Sequence, residues 1–244
     1  MKNAKRAQQR LKDRGYSLAI DGDFGPISMA TLMSFVGQKS SVSSLRKDLG
    51  KAAHTEFPKV DITSPLRIAH VLAQQSVETG GFSKMTESMN YSVRGLLLVF
   101  SRSRISEADA NRLGRKPGEG ALSVERQSAI ANILYGGDWG RRNLGNTEPG
   151  DGWRYRGRGI KQTTGRHNYG EVKKVTGIDV ITDPELLSNP ATGVRAGCIY
   201  WDSRKCNTIA DKDDIVALTK KINGGTNGLD DRRKALARAK EIVL

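Results

Sequence analysis

Two glutamates, Glu78 and Glu87, are the residues of this chain whose type and spacing could do chemistry together. A pair of carboxylates serves glycosidic-bond hydrolysis: one protonates the leaving oxygen, while the other activates a water or attacks the sugar directly. Gly80 and Gly81 separate them. The first carboxylate therefore falls at the end of one element, and the second, followed closely by Asn90 and Tyr91, on the loop after it.

The element that must carry Glu78 is a helix. Ser64-Pro65 is an N-cap followed by proline at the first helical position, and LRIAHVLAQQSV has the apolar spacing of a helix that runs to about Glu78, where Gly80-Gly81 ends it. At about 3.6 residues per turn Val71, Gln75 and Glu78 share a face, which puts Glu78 on or beside the buried stripe. A glutamate in the last turn opposes the helix macrodipole, and desolvation further disfavours its charged form. Both effects suit a general acid.

From Ala131 to Gly170 the chain reads ANILYGGDWGRRNLGNTEPGDGWRYRGRGIKQTTGRHNYG. Glycine at that density is costly in a core and usual where backbone must approach a ligand closely. Trp153, Tyr155, Ile160 and Tyr169 give the stretch something to pack. Later, LTKKINGGTNGLDDRRKALARAKEIV has the pattern of a helix, a Gly-Gly break and a second helix.

At the other end, residues 4–14 read as a helix with Ala7 and Leu11 on one stripe, stopped by Gly15. GYSLAIDGDFGP is turn chemistry, and a second short helix is expected from Ser28, as N-cap, through Ala30, Leu32, Met33 and Phe35. Two short helices around a turn bury little on their own, so their independent role would be binding rather than catalysis. DGDFGP lacks the ligand spacing of a calcium loop. The polar stretch GQKSSVSS reads as a linker, which divides the chain into a small module over residues 1–38, a linker over 39–44 and one larger domain over 45–244. Helical periodicity recurs and alternating strands are few, so the fold class is mainly α, with any β structure confined to a short hairpin near the glycine-rich segments.

Composition narrows the partners. In 244 residues, 40 Lys+Arg against 26 Asp+Glu leave a net charge of +14, which draws the protein toward polyanions: nucleic acid, anionic membrane or bacterial envelope. Arg154, Arg156 and Arg158 superficially favour nucleic acid, but no helix-turn-helix, zinc finger or RNA-binding motif accompanies them, so no nucleic-acid partner is expected. Cys198 and Cys206 form no CxxC pair, and His54, His70 and His167 are scattered singles, so no metal is expected. The basic start has no apolar segment behind it, which points to synthesis in the cytoplasm without a signal peptide.

Residues 1–38 resemble a peptidoglycan-binding module with the pattern LQ…L…GY…DG.FG..T…A…F, matched here by Gln9, Leu11, Gly15, Tyr16, Asp21, Gly22, Phe24, Gly25, Ala30 and Phe35. The resemblance implies wall contacts near Tyr16, Asp21, Asp23 and Phe24. From about residue 64 to 240 the chain resembles glycoside hydrolase family 19, the chitinase-like group that includes many phage endolysins. The motifs are ETGGF from Glu78, ESMNYS from Glu87, GDGWRYRGRGIKQTTGRHNY from Gly150 and INGGTNGLDDR from Ile222.

That resemblance implies a lysozyme-like, two-lobed helical catalytic domain, no cofactor, and an inverting reaction with the glutamates about 6.5–9.5 Å apart. Glu78 matches the general acid and Glu87 the general base. Thr164 matches the hydroxyl that holds the nucleophilic water, with Thr163 the alternative. Tyr91, Gln162, Asn168 and Asn223 match substrate contacts, Arg232 an arginine near the acid, and His167 a position that is tyrosine in plant chitinases. The function implied is that of a phage endolysin, an N-acetylmuramidase acting on bacterial peptidoglycan, with chitinase activity the alternative. Such an enzyme is expected to be a monomer, to wait in the host cytoplasm for a holin, and then to act in the periplasm and wall.

Overall fold

The structure, a computed structural model, describes residues 3–244. It is mainly helical, as expected, with fourteen α-helices in chain order and two short 3-10 turns. The expected hairpin is reduced among the described residues to isolated bridges: Arg158 pairs with Thr86 and with Thr163, and Ser92 with Arg115. The chain divides into two compact units, and it crosses between them first at Met85–Thr86.

Unit 1 holds the residues up to Met85, then Gly159–Lys161 and Leu187–Leu244. Its helices are α1 (Ala4–Asp13), α2 (Pro26–Val36), α3 (Ser44–Glu56), α4 (Pro65–Glu78), α11 (Pro190–Ser203), α12 (Cys206–Ala210), α13 (Ile215–Asn223) and α14 (Leu229–Val243). The helix carrying Glu78 starts as its sequence dictates: Ser64 Oγ accepts from Arg67 N, and Pro65 opens α4. Ile68, Val71 and Leu72 of α4 are buried against α14, whose Ala235, Leu236, Ala239 and Ile242 complete the seam. Cys198 and Cys206 are free and buried, and burial pushes both thiols up to about 12.

The second helix begins earlier than its sequence suggested. Gly25 is the N-cap and Pro26 occupies the first turn, while Ser28 is buried and its hydroxyl accepts from Gln8 at 3.1 Å. Proline at the first helical position outcompetes the serine because its missing N–H and fixed φ cost nothing there. Residues 3–38 do not stand apart: Leu32, Met33 and Val36 are fully buried in the core shared with α3, α4 and α14. The polar stretch after them is tied down as well. A Cβ on Gly37 would lie 2.6 Å from the carbonyl oxygen of Gly81, just past the end of α4, so only two glycines permit this approach. Arg46 donates to the Ser41 carbonyl at 3.1 Å, and Arg238 to that of Val36 at 2.9 Å.

Unit 2 comprises Thr86–Arg158 and Gln162–Leu186. Its helices are α5 (Val93–Val99), α6 (Glu107–Leu113), α7 (Val124–Tyr135), α8 (Gly137–Leu144), α9 (Asp151–Arg154) and α10 (Arg166–Thr176). Serines 92, 106 and 123 cap α5, α6 and α7 through their side chains. Met89, Leu96, Ile105, Leu113, Ile130 and Leu134 form the core of this unit. The glycine-rich stretch is ordered by packing rather than left as a loop. The rings of Tyr155 and Tyr169 pack at a tilt of 60° with centroids 5.1 Å apart, and Asp151 pairs with Arg166 at 2.6 Å.

Candidate active site

Glu78 ends α4 half-buried, and its carboxylate takes an ion pair from Arg232 of α14. Arg232 is 2% exposed, and its other terminal nitrogen donates to both oxygens of Gln74: the side-chain amide at 2.7 Å and the backbone carbonyl at 3.1 Å. Gln74 Nε2 in turn donates to Thr219 Oγ1 at 3.1 Å, which donates to the Ile215 carbonyl at 2.7 Å. The chain Thr219–Gln74–Arg232–Glu78 thus fixes the carboxylate from α13, α4 and α14 together. A half-buried carboxylate with one dedicated guanidinium keeps its orientation without a metal or a second acid. Arg232 adds a full positive charge to an environment otherwise set by burial and the helix end.

A cavity of about 30 Å³ opens beside Glu78, lined by Val71, Gln74, Gln75, Lys161, Tyr200 and Ile222. That is room for about one or two waters. The face of α4 deduced from periodicity, Val71, Gln75 and Glu78, is the face that lines it. Lys161 was not anticipated. Its ammonium lies 4.2 Å from the Tyr200 ring centroid, and burial holds it below the ordinary lysine range, against the opposing pull of the Glu78 charge.

Glu87 is held differently. Tyr135 Oη, at the last residue of α7, donates to its Oε1 at 2.7 Å, and the backbone N–H of Gly157 donates to its Oε2 at 3.2 Å. The Glu87 N–H donates to the Gly157 carbonyl at 2.7 Å, closing a reciprocal pair. Burial and the Glu87 charge together push the Tyr135 hydroxyl far above the ordinary tyrosine value, so it stays a donor across the working pH range. A Cβ on Gly157 would meet Glu87 Oε2 at 3.1 Å and Gln162 Oε1 at 3.3 Å. A larger residue here would press on both side chains by a few tenths of an ångström, so Gly157 lies close to Glu87 and Gln162 alike.

Tyr91 is half-buried near the same group. Burial and then the Glu87 charge raise its hydroxyl's pKa, and its ring meets Phe100 edge-on at 5.5 Å. Thr164 Oγ1 donates to the Gln162 carbonyl at 3.1 Å, a bond within its own turn, while Thr163 is buried in the bridge to Arg158. Asn168 is exposed on α10 and donates to the Thr164 carbonyl at 2.7 Å. Asn223 ends α13, exposed, with Nδ2 3.4 Å from the Asn227 carbonyl. His167 is exposed, packed by its Cβ against Gly145. Among the described residues no group of three or more His, Cys, Asp or Glu is placed to hold a metal.

In the N-terminal segment the motif glutamine is Gln8, one position before the one assigned from the pattern. Gln8 is 1% exposed, donates to Asp21 Oδ1 at 2.7 Å and to the Asp23 carbonyl at 2.9 Å, and accepts from Gly22 N. Gln9 is exposed and bonds only Asp13 in its own helix. The stripe containing Ala4, Ala7 and Leu11 includes position 8, a signal that was present in the periodicity. Phe24 is buried, Tyr16 is half-buried and bonds the Lys39 carbonyl, and Asp21 and Asp23 are exposed.

Glu78 and Glu87 are thus each held in place, by separate and unlike sets of partners. No protein-family profile matches the chain. A protein of Haemophilus influenzae described as "Glycosyl hydrolase family 19 domain-containing protein" is 34% identical over 189 residues, which cover 77% of this chain and 86% of that protein. With that extent of identity, and with a helical fold in which α4 presents Glu78 and the following loop presents Glu87, the chain is a glycoside hydrolase and belongs to glycosyl hydrolase family 19.

Proposed function

We propose that this glycoside hydrolase is an endolysin that cuts the glycan strands of bacterial peptidoglycan as an inverting N-acetylmuramidase. Glu78 protonates the leaving oxygen, and Glu87 takes a proton from the water that attacks the anomeric carbon from the opposite face. The observation that carries the assignment is the fixed Glu87, whose two oxygens accept from Tyr135 and Gly157. Both bonds fix the orientation of a group that can serve as the base. Arg232 orients the acid and balances its charge once the proton has left. Thr164 holds the attacking water, and Tyr91, Gln162, Asn168 and Asn223 contact the sugars.

Peptidoglycan is preferred to chitin because the sequence of residues 1–38 resembles a wall-binding module, and because the net charge of +14 suits an anionic envelope. Tyr16, Asp21, Asp23 and Phe24 are the wall-facing positions of that reading. The proposal includes action as a monomer, no nucleic-acid partner, and passage from the host cytoplasm to the periplasm and wall through a holin.

Mass spectrometry of digested, purified peptidoglycan tests the bond cut. New reducing-end muramic acid is expected. Reducing-end glucosamine would make the enzyme a glucosaminidase, anhydro-muramic ends a lytic transglycosylase, and cleavage of N-acetylglucosamine polymers alone a chitinase.

A further inference from the structure

The arginines of WRYRGRG, which as a sequence admitted a nucleic-acid reading, do not form an exposed basic face. The side chains of Arg156 and Arg158 are 11% and 2% exposed, and only Arg154 is open to solvent. With Trp153, Thr182 and Glu185 they line an open depression of about 430 Å³ within unit 2.

Three guanidinium charges in this lining are met by one carboxylate. Glu185 pairs with Arg158 and, at 3.4 Å, with Arg156. Arg154 donates to the carbonyls of Ile181 and Thr182 at 3.1 and 3.0 Å, contacts that bring no counter-charge. The Arg156 guanidinium lies 3.7 Å from the Trp153 ring centroid. Burial, and then the charge of Arg158, holds it below the ordinary arginine value. The Nε atoms of Arg156 and Arg158 are buried with no hydrogen-bond partner. Cations short of anions are costly to bury, and a ligand that brings negative charge to the depression relieves them. Arg156 Nη1 already donates to the Trp153 carbonyl at 2.9 Å, so what this guanidinium offers a bound carboxylate is a charge fixed beside an aromatic ring.

We propose that this depression binds a carboxylate of the peptide stem carried by peptidoglycan. The inference rests on the peptidoglycan reading above and gives it a physical basis, because a polymer of N-acetylglucosamine carries no such charge. A stem peptide recurs along the strand, so one site of this kind recognises the substrate class rather than one end of the chain.

The test is direct binding. Gly157 follows Arg156 and holds Glu87, so a change at Arg156 is read by affinity and not by rate. Calorimetric titration of the full chain in a Glu78→Gln background uses three probes: a synthetic stem peptide with free carboxylates, the same peptide fully amidated, and inorganic phosphate. The free acid is expected to bind, and amidation or Arg156→Gln to weaken it by at least about tenfold, the scale of a lost charge-assisted hydrogen bond. Arg154→Gln, an exposed change that does not threaten the fold, should weaken it by about threefold. Equal binding of the amidated peptide, unchanged affinity in both variants, or displacement of the peptide by phosphate at concentrations below the peptide's own would each overturn the proposal, the last in favour of a phosphate-bearing polymer. Digestion of whole peptidoglycan by the unmodified protein reports separately on the hydrolase reading: cleavage without peptide binding removes this site alone.

Discussion

The two glutamates are close in sequence yet are secured by opposite means. Glu78 is held by a charge: Arg232 comes from the far end of the chain, is buried, and is tied through Gln74 and Thr219 to two further helices. Glu87 is held by neutral donors, a tyrosine hydroxyl and a backbone N–H, in a glycine-crowded turn. A charged clamp built into a helical core makes Glu78's position a matter of stability, whereas a neutral clamp on a loop makes Glu87's position a matter of local geometry. The comparison can be broken experimentally.

The largest effect should come from the carboxylates themselves. In the proposed mechanism Glu78→Gln removes the proton donor and Glu87→Gln the base, and each should lower kcat by about 10²- to 10⁴-fold on purified peptidoglycan with the fold intact. Thr164→Ala, which loosens only a water contact, should fall less. A Glu78→Gln protein that remains folded and clears turbidity at nearly the normal rate would remove Glu78 as the acid.

Truncation tests how far the acid side depends on the core. Read from its polar linker, the 1–38 segment should be removable, leaving residues 39–244 folded and only wall binding weakened. The packing predicts a heavier loss, because Leu32, Met33 and Val36 are fully buried against α3, α4 and α14. Deleting them removes that burial and opens the faces of α3, α4 and α14 they cover, a loss of about 1.5–3 kcal/mol for each side chain, and together these approach the whole stability of a typical domain. Circular dichroism of residues 39–244 should show lost helix and a lowered Tm, while an unchanged melting curve would show the segment to be separable after all.

The clamps themselves come next. Arg232→Met strands Gln74 and Glu78 in a core and should destabilise the protein by about 3 kcal/mol, visible as a lower denaturation midpoint. Tyr135→Phe keeps the ring and loses one hydrogen bond, so it should cost about 1 kcal/mol of stability but about tenfold in kcat/KM. If Tyr135→Phe were the more destabilising of the two, the contrast between charged and neutral clamps would be inverted.

Much of this was legible in the sequence, and the reasons for the rest are physical. Ser64-Pro65 and Gly80-Gly81 delimit α4 because caps and breaks act locally, and the Val71–Gln75–Glu78 face follows from the helical repeat alone. Gln162 could be singled out only through family likeness, and Tyr135 not at all, because a hydroxyl that reaches a carboxylate 48 positions earlier leaves no local pattern. The Gly37–Gly81 approach was hidden for the same reason: glycine in a polar stretch reads as flexibility until the backbone opposite it is known. Gln8 was missed by one position, where periodicity, applied strictly, would have favoured it over Gln9.

The smallest effect separates the core that carries Glu78 by its response to acid. His70 of α4 is fully buried, with Nε2 2.7 Å from Asp213 Oδ1. Burial lowers its pKa below the ordinary 6.5, outweighing the hydrogen bond and charge of Asp213; Lys240 adds to the lowering, and Asp214 opposes it. Because the folded value is depressed, the unfolded chain takes up the proton first on acidification. The stability that the neutral ring contributes is therefore complete above about 6.5 and declines as pH falls from there toward the folded value. Thermal unfolding followed from pH 7.5 to 5 should show Tm falling through that window, and His70→Gln, whatever its Tm at neutral pH, should show a shallower fall. A Tm that rises on acidification in the unmodified protein, and not in the variant, would mean that the Asp213 pairing outweighs burial and that α4 is held by a charge at His70 as well as at Glu78.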